Sequence, residues 1–474
     1  MTEKIKYKGI WFLPDNPQDE VPGNLTFEPS GMIKLDLTGS LTKILEDIDE
    51  TESLTKIFED IDETGIILGF TTNGKKITLL ECYKINQNAS FPGIFTQIYR
   101  ANYIFEGEHF LNINDLKFYK VSSRISMLEE WVNIWGFDIK LNSNNELNTN
   151  FKIPDDIPFD INENLKGLFA FSYKADVLPN SDYKIQQTTK LELIVKNEAN
   201  YSEFLQFISH FNLFITLGVF SSVDIKEVEF YSKSITHEHV KGRRVETPIK
   251  VYFSQIRTNN KLTTGDVNRF LFTFNTIKNN FEVIIKNWFL LKESISPVLG
   301  ALSEIFAKRT IYTELKFLHI VQALEVYHRR LKQDTKKLKI KFKEIIDPIR
   351  AKVDKPEKKW LNTKLSFGYE PTLRERLEQL FVEFHIHPLS KILISHDEIR
   401  ALIDKTVNSR NYYTHYSPEL KAKACHERDL VYLSEKLKVL LIIVILRETG
   451  FQINEIEALF ETKGWVYFNH IMNN

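Results

Sequence analysis

The sequence predicts an α+β multidomain protein, with a β-rich N-terminal region followed by an all-α bundle, and a change of texture predicts it. Before Asp266 apolar residues alternate with a period of two over several short runs; from Asp266 onward they recur with a period of about 3.6 and glycines become few. A length of 474 residues exceeds what one core organises, so more than one domain is expected. The balance of 43% hydrophobic and 26% charged residues belongs to a folded globular chain rather than a disordered one.

Met32–Leu37 alternates, Gly65–Phe70 is apolar, and Asn73-Gly74 supplies turn chemistry before Lys76–Leu80, so residues 1–145 read as a β-rich module. Inside it LTKILEDIDETES (Leu41–Ser53) is repeated as LTKIFEDIDETG (Leu54–Gly65). Two copies cannot build a solenoid, and acids opposite helically spaced apolar residues read as a loop or helix expansion. A second region of mixed strands and helices, 146–300, begins after the polar stretch Asn142–Asn150; in it Lys190–Lys196 and Glu227–Ser232 alternate like strands, and Glu203–Phe214 reads as helical.

Phe270–Leu299 reads as one or two helices, and Leu302–Leu331 as a long one with Leu315, Leu318, Val321, Leu324, Tyr327 and Leu331 on one stripe. Pro371 and Thr372 open a helix through Phe384; His396 and Asp397 can cap another over Glu398–Asn408; a third runs from Pro418 through Leu446, closed by Gly450. Short connections between such helices make a bundle, which assigns 301–474 to it.

The formal net charge of -1 leaves no global field for nucleic acid, so any polyanion surface is local. Arg329–Lys364 holds 14 Lys or Arg against 5 Asp or Glu, which reads either as a solvated helix face or as a phosphate-binding patch at Lys336, Lys337, Lys339 and Lys341. Two distant cysteines, Cys82 and Cys425, exclude a disulfide framework and a thiolate zinc site. No signal-like segment or apolar run of spanning length appears, so a cytoplasmic protein without membrane contact is expected. No glycine-rich phosphate loop is present, and no cofactor is expected. Glu325 with His328, and His385-Ile386-His387 with His396, have metal-like spacing but lack further ligands, so no metal site is assigned.

The sharpest signal is Arg410-Asn411-Tyr412-Tyr413-Thr414-His415. Cleaving RNA without a metal requires a base for the 2′-OH proton, a cation for the phosphorane and an acid for the leaving 5′-oxygen. An imidazole exchanges protons near neutrality, and a guanidinium offers a two-pronged donor to phosphate. On a helix Asn411 and His415 share a face, whereas Arg410 and His415 stand about 140° apart. Tyr412, Tyr413 and Tyr416 flank the motif, either as rings for base stacking or as core and interface packing.

Arg, a polar residue, three variable residues and His is a pattern that resembles the signature of HEPN domains. FLHIVQALEVYHRR (Phe317–Arg330) is similar to the first core helix of ApeA-like HEPN domains, and GIWFLPDNP (Gly9–Pro17), VPGNLTFEPSGMIKLDLTG (Val21–Gly39) and TNGKKITLLECY (Thr72–Tyr83) resemble the ApeA N-terminal domain. That resemblance implies an antiphage abortive-infection endoribonuclease. Its catalytic residues would be Arg410, Asn411 and His415; beside them Tyr413 is read as supporting the cleft, and Glu325 either as a polar support for it or as the partner of Arg329. It also implies a homodimer through the C-terminal bundle, a tRNA anticodon loop as target, 2′,3′-cyclic phosphate ends, and a phage component as partner of the N-terminal region. The alternative is a non-catalytic HEPN module that binds nucleotide or protein.

Overall fold

Alternation in the N-terminal half is realised as one 13-stranded antiparallel sheet and two separate two-stranded ones. The structure is a computed structural model that describes residues 4–29, 31–41, 63–88, 93–143, 146–177, 183–238, 244–255, 264–307, 313–384 and 395–462. Its strands are β1 (Ile5–Leu13), β2 (Asn16–Phe27), β3 (Ile33–Thr38), β4 (Glu63–Thr71), β5 (Lys76–Asn88), β6 (Thr96–Ala101), β7 (Tyr103–Glu106), β8 (Lys117–Ile125), β9 (Phe137–Leu141), β10 (Leu147–Phe151), β11 (Ile157–Asp160), β12 (Leu165–Val177), β13 (Tyr183–Asn200), β14 (Ile225–Tyr231), β15 (Thr236–Glu238), β16 (Arg244–Glu246) and β17 (Ile249–Phe253).

Six of them close a barrel. The order β5-β4-β1-β2-β3-β6 returns on itself because the far half of β5, Tyr83–Asn88, pairs with β6, while its near half, Ile77–Leu80, pairs with β7. From β7 the sheet continues outward through β17, β14, β8, β13 and β12 to β11. Closure satisfies the edge groups that an open sheet would leave unpaired. The barrel fills with the inward residues of each strand, Ile33, Leu35 and Leu37 of β3 among them, around a fully buried Trp11. Gly69 of β4 is required there, since a Cβ would stand 2.3 Å from the Trp11 ring. The β4–β5 connection turns on Gly74, whose φ of +76° favours glycine.

Helix α1 (Tyr201–Val219) buries an aromatic face against the open part of the sheet and a short helix, Leu128–Val132: Phe204 lies 5.7 Å from Phe230, Phe211 6.1 Å from Phe169, and Phe214 5.8 Å from Trp131 of that helix. The polar stretch Asn142–Asn150 includes part of the β9–β10 hairpin, and strands from both sides of it pair in the one large sheet. Compact units fall elsewhere, one formed by Met1–Thr216 with Val223–Thr264 and one by Leu217–Ser222 with Gly265–Asn474, so the expected second region 146–300 is shared between them. Of the duplication only its ends are described, residues 42–62 lying outside the described residues; Glu63–Gly65 begins β4.

The second unit is helical, as the 3.6-residue period requires. It contains α2 (Phe281–Phe306), α3 (Thr313–Tyr327) with a π turn over His328–Lys332, α4 (Thr335–Ala351), α5 (Lys355–Lys364), α6 (Leu373–Phe384), α7 (His396–His415), α8 (Glu427–Glu448) and α9 (Ile453–Thr462). Leu437–Leu446 of α8 is buried throughout and packs against α3, α2 and α6. No helix among the described residues is long and apolar enough to cross a membrane.

Several expected boundaries move. Leu302 belongs to α2, which kinks at Ile295 two residues before Pro297, where the missing N–H interrupts the ladder. The stripe from Leu315 does not hold: Leu315 is 46% exposed, and the buried face of α3 is Phe317, Ile320, Val321, Leu324 and Tyr327. A strict three-residue spacing turns back by about 60° per step, so Leu315 and Tyr327 cannot share a face. Helix α7 runs past Asn408 to His415 and is capped by Ser395, whose Oγ accepts from Glu398 N–H at 3.2 Å while Glu398 reciprocates at 2.8 Å. The segment after Pro418 makes a single turn, Pro418–Lys421, before α8 begins.

Candidate active site

The motif occupies the C-terminal end of α7, and two pins hold it there. Ser409 Oγ accepts from Cys425 N–H at 2.9 Å, and the Tyr413 hydroxyl donates to the Cys425 carbonyl at 2.8 Å and lies 3.1 Å from His426 Nδ1. His426 Nε2 in turn meets the Lys421 carbonyl at 2.8 Å. The loop from Tyr416 to His426 is thereby folded against the motif helix. Burial pushes the Tyr413 phenol up to about 12, so it stays a neutral donor. Tyr413→Phe is expected to cost about 1–2 kcal/mol of stability in thermal or urea unfolding, with the activity of the molecules that remain folded retained.

Tyr413 therefore cannot offer a ring face to a base: it is buried among Phe317, Tyr412, Tyr416 and His426. Tyr416, 63% exposed, can. Tyr416 also ends the helix, taking a left-handed φ of 51° directly after His415.

Arg410 is 35% exposed and held from two sides. Its Nη1 donates to Asn411 Oδ1 at 3.1 Å, and its Nη2 lies 3.8 Å from Glu325 Oε2 on α3. His415 is exposed and has no hydrogen-bond or ion-pair partner among the described residues. Arg410, Asn411 and Glu325 thus form one cluster, while His415 stands exposed at the last turn of the helix.

Behind Glu325 lies a network that the sequence reading did not find. Glu325 Oε1 is 3.5 Å from Arg329 Nη2, which donates to Glu370 Oε2 at 2.9 Å; Glu370 Oε2 also accepts from Arg376 Nη2 at 3.2 Å. Arg376 is 1% exposed and gives its other donors to the Pro371 carbonyl (3.0 Å), Gln333 Oε1 (2.7 Å) and His328 Nδ1 (3.1 Å). Because a guanidinium only donates, His328 Nδ1 accepts, and its Nε2–H donates to Gln379 Oε1 at 2.7 Å. The signal available in sequence was a cation on the apolar face of α6, between Leu373 and Leu377 and Leu380.

His328 and Glu325, weighed above as a metal pair, face these different partners. Burial lowers the His328 pKa below 6.5; Arg376 and Lys332 act in the same direction, against Gln379 and Glu383. A lowered histidine pKa means that the unfolded chain takes up the proton first, so this contribution to stability is complete above pH 6.5 and is lost as pH falls through the folded value. The helical unit should therefore melt earlier at about pH 5 than at about pH 7, and the difference should shrink in His328→Gln. Lys336, Lys337, Lys339 and Lys341 project from α4, with Lys339 Nζ 5.0 Å from the Tyr369 ring centre.

Comparison with known proteins agrees with the two-part fold. The family model for ApeA N-terminal domain 1 matches residues 6–288, and that for Apea-like HEPN matches residues 318–455, which contains Glu325, the network and the whole motif. No curated protein and no solved structure matches the chain. Membership of a HEPN-bearing family supports a nuclease-type antiphage function in general. With a β-rich N-terminal part and a helical HEPN part in the order that the two matches give, the chain belongs to the ApeA family.

Proposed function

We propose that the protein is a metal-independent endoribonuclease of antiphage defence, acting through Arg410, Asn411 and His415. The observation that carries this reading is a guanidinium held by Asn411 and Glu325 on the same helix end as a histidine with no other partner among the described residues. In the reaction the RNA 2′-oxygen attacks phosphorus as a base takes its proton, and the bond to the 5′-oxygen breaks as an acid protonates it. Products are a 2′,3′-cyclic phosphate and a 5′-hydroxyl. Arg410 binds the non-bridging oxygens and stabilises the charge that grows in the transition state. Asn411 and Glu325 restrict the guanidinium to one direction.

His415 serves as base or acid, and a second copy of the chain, joined through the helical unit, brings the other histidine to a shared cleft. The target is an unpaired RNA loop, with a tRNA anticodon loop as the first candidate. The β-rich unit is the place for a phage component: the β9–β10 hairpin exposes Ile139, Leu141 and Leu147 by 62%, 71% and 64%, an apolar face suited to a protein partner.

Two measurements test the mechanism. Cleavage should persist in EDTA; its loss there contradicts metal independence. Glu325→Gln should leave stability within about 1 kcal/mol of wild type yet lower the cleavage rate about 10- to 100-fold, since the guanidinium loses its orientation. An unchanged rate removes Glu325 from the site.

A further inference from the structure

The stretch from α4 to Glu370 has a composition that a packed helical bundle does not need. Thr335–Lys364 holds 11 Lys or Arg against 4 Asp or Glu. In α4 only Ile346 is buried, and no described side chain of α5 is. Lys336, Lys337, Lys341, Lys343, Lys358 and Lys359 are exposed and have no carboxylate partner among the described residues. Among these charges stand two open aromatic rings, Trp360 at 62% exposure and Phe367 at 69%.

Trp360 and Phe367 are mostly exposed, and flat apolar faces on a segment rich in lysine match a strand of unpaired nucleotides. Lysines then neutralise phosphates while bases stack on the rings. A duplex would engage the lysines alone, because its base faces are already stacked. The root of this arm is also tied to the candidate active site. Glu370, three residues after Phe367, accepts from Arg329, which pairs with Glu325, which pairs with Arg410, at 2.9, 3.5 and 3.8 Å.

Resting on the ribonuclease reading above, we propose that residues 335–367 form a binding arm for single-stranded RNA, with Trp360 and Phe367 as base-stacking platforms and Lys336, Lys337 and Lys341 on the phosphates. The substrate class is then RNA with an unpaired segment beyond the nucleotides at the scissile bond. Glu370 makes the arm and the catalytic arginine one electrostatic chain.

The test uses the full chain carrying His415→Ala, a short unstructured oligoribonucleotide, and the same strand annealed to its complement, followed by fluorescence polarisation over a range of salt. The single strand should bind about 10-fold more tightly than the duplex, and Trp360→Ala with Phe367→Ala should remove about 10-fold of single-strand affinity without changing the salt slope. Lys336→Ala, Lys337→Ala and Lys341→Ala together should lower that slope by about 2. Equal affinity for both RNAs, or an aromatic variant that binds as tightly as its parent, overturns the arm. So does binding of the parent to anionic vesicles or an acidic peptide in place of RNA, which the exposed Ile340, Ile345 and Ile349 would then explain. The two readings fail separately. If the arm behaves as stated while protein with intact His415 cuts nothing, the nuclease reading falls; if cleavage proceeds with an unchanged KM in the aromatic variant, the arm falls.

Discussion

Arg376→Ala is expected to destabilise the helical unit by about 3–5 kcal/mol, enough to unfold much of it at growth temperature. Arg376 is a buried cation with four acceptors around it, the Glu370 carboxylate, the Gln333 amide, the Pro371 carbonyl and His328 Nδ1. Removing it takes a donor from the Gln333 amide, the Pro371 carbonyl and the buried His328 Nδ1, while Glu370 keeps its bond from Arg329 at 2.9 Å. Arg376→Lys should recover little, because an ammonium at the end of a flexible stem cannot address acceptors that a planar guanidinium fits. Urea unfolding followed by circular dichroism measures both. A loss under 1 kcal/mol would mean that the network relaxes around the gap.

The second large effect is on chemistry. His415→Ala should lower the cleavage rate by about 10²–10⁴ and Arg410→Ala by about 10²–10³, with the double variant no worse than the more severe single one where the two act as a unit. His415 is exposed, so its variant should fold as wild type does. Arg410 is part-exposed, and its ion pair with Glu325 contributes at most about 1 kcal/mol. Arg410→Lys separates charge from geometry. A lysine keeps the charge but loses the fork that reaches Asn411 and phosphate together, so most of the activity should remain absent. Single-turnover cleavage of a labelled RNA, beside thermal melting of each variant, distinguishes a catalytic loss from an unfolded protein.

What was legible in the sequence was local. Asn73-Gly74 located the β4–β5 hairpin because the turn needs a positive φ that glycine supplies. The candidate motif stands out because Arg410 and His415 sit within six residues, and the period change near Asp266 marked the passage to the helical unit. What escaped was long-range. Barrel closure depends on β5 being long enough to pair with β7 along one half and β6 along the other. The Arg376–His328 contact joins residues 48 apart in sequence. Whether Tyr413 stacks or packs was open in the sequence, and its burial depends on Cys425 and His426 folding back across it. Helix α7 was expected to end at Asn408, yet the residues after it include no glycine or proline before Pro418, and the tyrosines that follow pack well enough to keep the helix going to His415.

Incubation of purified wild-type and His415→Ala protein with total bacterial RNA in EDTA, followed by chemical identification of the fragment ends, tests the central claim most directly. The account predicts discrete fragments with 2′,3′-cyclic phosphate and 5′-hydroxyl ends from wild type and intact RNA from the variant. Identical fragments from both proteins, or intact RNA from both even when a phage lysate is added as trigger, would contradict it.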